Sequence, residues 1–307
     1  MTAWMIGVVR CVGVWVWLNR SVFAVSSADL TISGTDELGW LPIGGMVISG
    51  LLLGILGVVL NLRRTALIGD VMSHAVLPGA AIGMMAGGGR DSWGTFFGAG
   101  FGALLWAWLT PWLRRMTGIR GDAASGVMLA GALSLGLLLV GRLQVAGGAA
   151  TAGLDRVFFG QASLLGEGQL ALMGVLTVSV MGWIAALRHR LRLWCFSEVS
   201  REAAVDGSSW VGRCFMVLLA VSVAVSIQSM GAVLVGTMLI VPALCGLLMA
   251  RRFEGVLLVS GLCGAVAGLG GGILSAMRSG VPSGAASAVC AGVLLGIVSL
   301  TKTGGRR

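Results

Sequence analysis

Apolar and polar positions alternate along this chain in long blocks, not in the short periods of an amphipathic helix or a half-buried strand. Nine apolar stretches follow one another, at about 43–62, 66–87, 93–112, 122–141, 169–187, 210–228, 230–250, 255–276 and 283–301. Each is close to the ~20 residues that an α-helix needs to cross a hydrocarbon core. The pattern therefore predicts an all-α polytopic membrane protein, a bundle of about nine transmembrane helices. A shorter apolar run at Cys11–Leu18, between Arg10 and Arg20, precedes AVSSA at Ala24–Ala28. It is either a signal-like segment or an extra first helix, which would bring the number to ten. Asp29–Trp40 is polar and predicts an exposed connector. The chain thus divides into an N-terminal segment and connector (1–42), a transmembrane domain (43–301) and a basic tail (302–307).

Composition agrees with that class. The 307 residues are 57% hydrophobic and only 11% charged, with a mean hydropathy of +0.96. A soluble domain carries about 25% charged residues. The 51 glycines suit close approach of membrane helices. Gly-x-x-x-Gly spacing at Gly50/Gly54, Gly98/Gly102, Gly264/Gly268/Gly272 and Gly292/Gly296 predicts helix–helix packing, not sites. The six cysteines are scattered without a CxxC and suit small buried hydrophobes better than a disulfide framework or a metal site.

Charge fixes the orientation. The pI of about 10.8 does not indicate a nucleic-acid partner, because the arginines form no single patch. They sit between the apolar runs, where topology determinants sit. With the connector outside, 15 of the 21 basic residues fall in inner segments, including Arg63, Arg64, Arg114, Arg115, Arg188, Arg251 and Arg252. Outer segments keep Arg20, Arg90, Arg142, Arg156 and Arg278. Two connections exceed simple turns: Arg142–Gly168 outside, carrying LDRVFFGQ, and Arg188–Ser209 inside, carrying Glu198, Arg201, Glu202 and Asp206. Long ordered loops are usually functional. The outer one suits a donor protein, the inner one a cytoplasmic partner.

Several chemistries are absent. Lys302 is the one lysine and follows Thr301, so no phosphate-cradling GxxxxGK[ST] exists. There is no HExxH or GxSxG, and two histidines rule out a three-His zinc centre. An intramembrane enzyme is poorly supported.

What remains is Asp70 and His74, four residues apart in ALIGDVMSHAVLPG at 66–79. That spacing is about one turn, so both fall on one helix face. An ionisable residue inside a bilayer costs a few kcal/mol on insertion scales and is a functional candidate by default. A structural use is open: the two pair with each other, or cap a break near Pro78 and Gly79. The alternative is that they face a central pathway and contact a cation. Carboxylate oxygen with imidazole nitrogen suits Mn, Fe or Zn better than Mg or Ca. Two ligands bind weakly, as a transported ion requires. Counted at about 1.5 Å per residue from Ala66, Asp70 lies ~6 Å and His74 ~12 Å in from the cytoplasmic end. His189, among arginines, belongs to a solvated basic segment. Gln228 and Pro242 mark either a pathway or packing.

These residues resemble one family. ALIGDVMSHAVLPG, just after Arg63-Arg64, resembles the signature of the membrane permeases of manganese, zinc and iron ABC importers. LDRVFFGQ at 154–161 resembles the segment after that family's fourth core helix. QSMGAVLVGTMLIVP at 228–242 resembles its paired-helix region, and VPSGAAS at 281–287 the start of its last helix. The resemblance spans roughly 43–301; residues 1–36 have no recognised counterpart.

It implies a fold like the vitamin B12 importer permeases, in a bacterial plasma membrane, and a dimer or heterodimer of permeases. It implies two cytoplasmic ATP-binding subunits and an extracytoplasmic metal-binding protein as partners. The chain itself would be no enzyme and would hold no permanent cofactor, only the transported Mn2+, Zn2+ or Fe2+. By position, Asp70 and His74 match the family's metal-contacting pair. EVSREAAVDG at 198–207 matches the region that docks on the ATPase, giving Glu198, Glu202, Ala203, Ala204 and Gly207 as coupling-loop residues. Two other readings are a permease for a metal chelate such as a siderophore or corrinoid, and an ion-coupled carrier using Asp70 and His74 as a proton relay.

Overall fold

A computed structural model describes residues 40–86, 92–119, 121–145, 166–196, 210–277 and 282–304. Among these residues every regular element is an α-helix, and there are ten. They are α1 (Trp40–Leu62), α2 (Ala66–Ala86), α3 (Ser92–Thr117), α4 (Gly121–Val145), α5 (Glu167–Ala186), α6 (Arg188–Phe196), α7 (Trp210–Met230), α8 (Ala232–Met249), α9 (Phe253–Met277) and α10 (Ser283–Gly304). The nine long helices coincide with the nine apolar stretches, which establishes the all-α membrane bundle.

Seven of them are long and apolar enough to cross a bilayer by length and composition. The other two are α3 and α8. In α3 four tryptophans, four glycines and Arg114-Arg115 dilute the aliphatic residues. The apolar run Leu234–Met249 of α8 is shorter. Helix α3 also runs on past the predicted end at 112, to Thr117. A helix does not have to stop where the hydrocarbon does, and arginines in its last turn suit its negative C-terminal end.

Glycine sets how the long helices meet. A Cβ on Gly79 would run into the backbone oxygen of Gly98, and one on Gly83 into that of Gly94. From the other side, Gly98 faces Gly79 and Gly83, and Gly102 faces Ala75 and Gly79. Helices α2 and α3 therefore pack backbone against backbone, the use predicted for Gly98/Gly102. Helices α1 and α9 do the same through Gly50 against Gly264 and Gly268 against Met46. There the Ser260 hydroxyl also donates to the Gly54 carbonyl at 2.5 Å. Gly292/Gly296 corrects the pattern-based expectation: among the described residues, a side chain on either would meet nothing within 4 Å.

The inner segment predicted as one long loop begins instead with the short helix α6. Leu191, Trp194 and Cys195 fall on one face and are buried, while Arg188, His189, Arg190 and Arg192 are exposed. His189 is thus solvated as expected, but on a helix. Of the six cysteines, Cys195, Cys245, Cys263 and Cys290 are free thiols, the first two buried.

Contacts at one end of the bundle agree with the charge-based topology. Arg63 at the end of α1 meets Trp194 on α6. Arg188 and Arg192 on α6 pair with Glu254 at the start of α9, at 3.5 and 2.9 Å. Lys302 near the end of α10 donates to the Leu248 carbonyl near the end of α8. Basic segments assigned to the inner side from sequence thus gather on one side in space.

Arg63 departs from the expectation of a solvated loop arginine. It is only 6% exposed, while Arg64 is exposed and has a φ of 56°. The Arg63 guanidinium lies 3.6 Å from the Trp194 ring centroid, and its Nη1 donates to the Trp194 carbonyl at 3.0 Å. Trp194 in turn packs on Phe215 of α7, with ring centroids 5.9 Å apart. A delocalised guanidinium tolerates this stacked, largely desolvated setting better than an ammonium would.

Candidate functional site

Helix α2 carries Asp70 and His74 and is one of the most enclosed elements of the molecule. Fourteen of its 21 residues are buried. Short side chains make this possible: Gly69, Ser73, Ala75, Gly79, Ala80, Ala81 and Gly83 let neighbours come close from several sides. Pro78 lies inside the helix and does not end it. Gly136 of α4 supports that point, since a Cβ there would lie 2.9 Å from the Leu77 Cβ and 3.2 Å from the Pro78 Cδ.

That continuity removes one structural use of the pair, since α2 has no break at Pro78 for them to cap. The other use fails as well. No hydrogen bond or ion pair joins Asp70 to His74 among the described residues, and His74 Nδ1 is buried with no hydrogen-bond partner there. Both side chains are half-buried, neither sealed in the core nor fully exposed.

The surroundings of Asp70 come from α8. The carboxylate lies against the backbone of Gly236, where its Oδ1 occupies the place a Cβ would take. Ser73, one turn on, is occupied locally, its hydroxyl donating to the Asp70 carbonyl oxygen at 2.9 Å. The Asp70 side chain is thus held on the α8 side of the helix, and among the described residues no protein donor takes up its oxygens. Gly236 is a site residue that sequence reasoning missed. A glycine in a glycine-rich span carries no signal until its neighbour is known.

Asp70 supplies oxygen and His74 an unpartnered nitrogen, a borderline donor set that fits a first-row divalent ion. Among the described residues no group of three or more His, Cys, Asp or Glu could hold a metal. Asp70 and His74 therefore stand there as two candidate donors and not as a closed site. The coupling-loop residues Glu198, Glu202, Ala203, Ala204 and Gly207, and the LDRVFFGQ segment, lie outside the described residues. Gly231, with a φ of 84°, makes the turn between α7 and α8, while Pro242 is buried within α8.

A helical membrane bundle with one oxygen donor and one nitrogen donor inside one of its most enclosed helices has the make-up of a membrane transport subunit. Comparison with known proteins makes this specific. The chain belongs to the ABC 3 transport family, whose pattern matches residues 40–302. It is accordingly a multi-pass membrane component of a transport system and not an enzyme.

Among its relatives, the zinc transport system membrane protein TroC of Treponema pallidum (strain Nichols) is 30% identical over 82% of this chain and 84% of its own. The manganese transport system membrane protein MntC of Bacillus subtilis (strain 168) is 26% identical over 82% of this chain. This chain spans 58% of that MntC's length. Among solved structures, PsaBC from Streptococcus pneumoniae in complex with Fab superimposes with a TM-score of 0.72 at 25% identity, over 86% of this chain and 91% of that one.

Proposed function

We propose that this chain is the permease subunit of an ATP-driven importer for a divalent transition metal ion: Mn2+, Zn2+ or Fe2+. The observation that carries the reading is the Asp70–His74 pair, unconsumed by each other, on the most buried span of an ABC 3 family chain. The naming of relatives for manganese and zinc transport supports the substrate class.

In this reading an extracytoplasmic metal-binding protein delivers the ion at the outer face. Asp70 Oδ and an imidazole nitrogen of His74 take it in the inner half to middle of the membrane. Two donors hold a first-row ion loosely, so water or the second permease of a dimer completes its shell at the subunit interface, and the ion can leave again. ATP is hydrolysed in separate cytoplasmic subunits. Their stroke reaches the bundle through the 198–207 loop, with Glu198, Glu202, Ala203, Ala204 and Gly207 as its docking residues. Helix α6 supports that assignment, because it ends at Phe196 and is anchored to α1 by Arg63 and to α9 by Glu254.

Uptake of radioactive Mn2+ and Zn2+ by cells expressing the complete transporter tests the pair. Asp70→Ala with His74→Ala is expected to cut uptake more than about tenfold at equal membrane abundance, since even outer-shell changes at metal sites cost 10–100-fold. Unchanged uptake would sink the assignment. Arg substituted for Glu202 is expected to leave the permease folded and to lower uptake together with ATPase co-purification.

A further inference from the structure

We propose that Gly236 is a positioning residue for Asp70: the missing side chain on α8 is what allows the carboxylate to present itself for ion contact. This inference rests on the metal-permease reading and adds a residue to its site.

The argument is one of shape. A Cβ built on Gly236 overlaps Asp70 Oδ1, lies 3.2 Å from Asp70 Cγ and 3.7 Å from Ser73 Oγ. Real Cβ atoms do not approach a carboxylate oxygen so closely, so any side chain at 236 displaces the carboxylate. Room for that displacement is limited, because the residues flanking Asp70 on α2, from Gly69 to Ser73, are buried. On α8 Gly236, Val235 and Met238 are buried too, while Thr237 between them is exposed. The helix cannot simply shift away: one turn on, Gly69 sits against the Leu239 side chain, with a Cβ there 3.0 Å from Leu239 Cδ1. Across α8, Gly57 of α1 lies against the Leu239 carbonyl oxygen. Helix α8 is therefore wedged between α1 and α2 beside Gly236, and the carboxylate is the part that has to yield. A rotated carboxylate presents its oxygens elsewhere, and first-row ions respond to ligand placement within tenths of an ångström.

Helix propensity supplies a built-in control. Alanine is a far better helix former than glycine, so propensity alone makes Gly236→Ala stabilising. The contact with Asp70 makes it destabilising. Removing the carboxylate separates the two effects, since an alanine methyl at 236 then fills the place that Oδ1 has left.

The test compares wild type, Gly236→Ala, Asp70→Ala and the double variant. Each full-length chain is co-expressed with its ATP-binding subunits. Thermal melting is followed in detergent, and uptake of Mn2+ and of Zn2+ is followed in cells. Gly236→Ala is expected to lower Tm by about 3 °C or more in the wild-type background. In the Asp70→Ala background it is expected to raise it. Gly236→Ala is also expected to cut Mn2+ uptake at least tenfold and to change the Mn2+ to Zn2+ uptake ratio at least threefold. A purely structural defect would lower both ions alike. If Gly236→Ala does not fold, recovery of folded protein in the double variant carries the same information.

A Tm change of the same sign in both backgrounds, an unchanged uptake ratio, or a double variant as unfolded as the single overturns the positioning role while leaving the metal reading intact. Full uptake by Asp70→Ala overturns the metal reading itself, whatever the melting cycle shows.

Discussion

Helices α1, α2 and α7 and helices α4, α5 and α10 are built from the same kinds of residue and end in opposite surroundings. In the first three, 72–78% of the best membrane-spanning window is buried in the protein; in the others, 22–33%. Hydropathy does not sort them. Helix α2 is the least hydropathic of the seven spans and the most buried. Lipid is as apolar as a protein core, so hydrophobicity gives no preference between the two. In α1 and α2 many small residues meet other backbones, whereas in α10 such contact is confined to its first turns, at Gly284 against Met230 and Ser287 against Gly271.

The glycine pairs show it directly. Gly98/Gly102 and Gly292/Gly296 have the same spacing, yet the first pair lies against the α2 backbone and the second against nothing within 4 Å. Beside the second, Val289, Val293, Ile297 and Leu300 are all more than half exposed.

The sharpest way to break this comparison is to fill both kinds of glycine. Gly98→Leu is expected to cost about 3 kcal/mol or more, because backbone atoms across the interface have no rotamer in which to yield. Gly292→Leu is expected to stay within about 0.5 kcal/mol, the usual effect at an open position. Thermal melts in detergent measure both. A large loss at Gly292 would mean that α10 is covered in the assembled protein, and the division into inner and outer helices would need redrawing.

Next in size is the arginine pair at the inner end. Arg63→Ala is expected to cost about 2 kcal/mol, from the lost desolvated cation–π contact and the Trp194 carbonyl left without its donor. Arg64→Ala, one residue on and exposed, should cost almost nothing. Glu254→Gln tests the exposed pairs with Arg188 and Arg192, where a loss below about 1 kcal/mol is expected.

The smallest effect concerns the Cys195 thiol, which lies beside Arg63. Burial pushes it up to about 11 from 9.0, and the guanidinium pulls weakly the other way. Protection of the protonated thiol is complete below about pH 9 and fades as pH rises toward 11. Maleimide labelling of a variant that keeps only this cysteine is expected to stay slow at pH 8. Arg63→Ala should speed it up, by loosening α6.

Most of the fold was legible because a bilayer imposes its length on the chain. Helices α1, α2, α7 and α10 begin within three residues of the predicted positions. The basic segments assigned inside from charge meet in space through Arg63, Glu254 and Lys302. The Asp70–His74 pair was also legible, since ionisable groups stand out in an apolar span.

Helix α6 was not, because five apolar residues beside four basic ones look like a loop until a docking surface exists for the three that are buried. Nor was the burial of Arg63. The sequence pairs it with Arg64, and only the position of Trp194 separates their fates.

By itself, then, the sequence determined the class, the positions of the apolar helices and the two ionisable groups that stand out within them, all consequences of hydration cost read residue by residue. Tertiary structure alone decided which glycines are contacts and which are open. It also decided that Asp70 and His74 do not pair with each other among the described residues, and that the Asp70 carboxylate lies where a Gly236 side chain would be. Those outcomes depend on which backbone lies within a few ångströms, and helices equally soluble in lipid carry no such address until they pack.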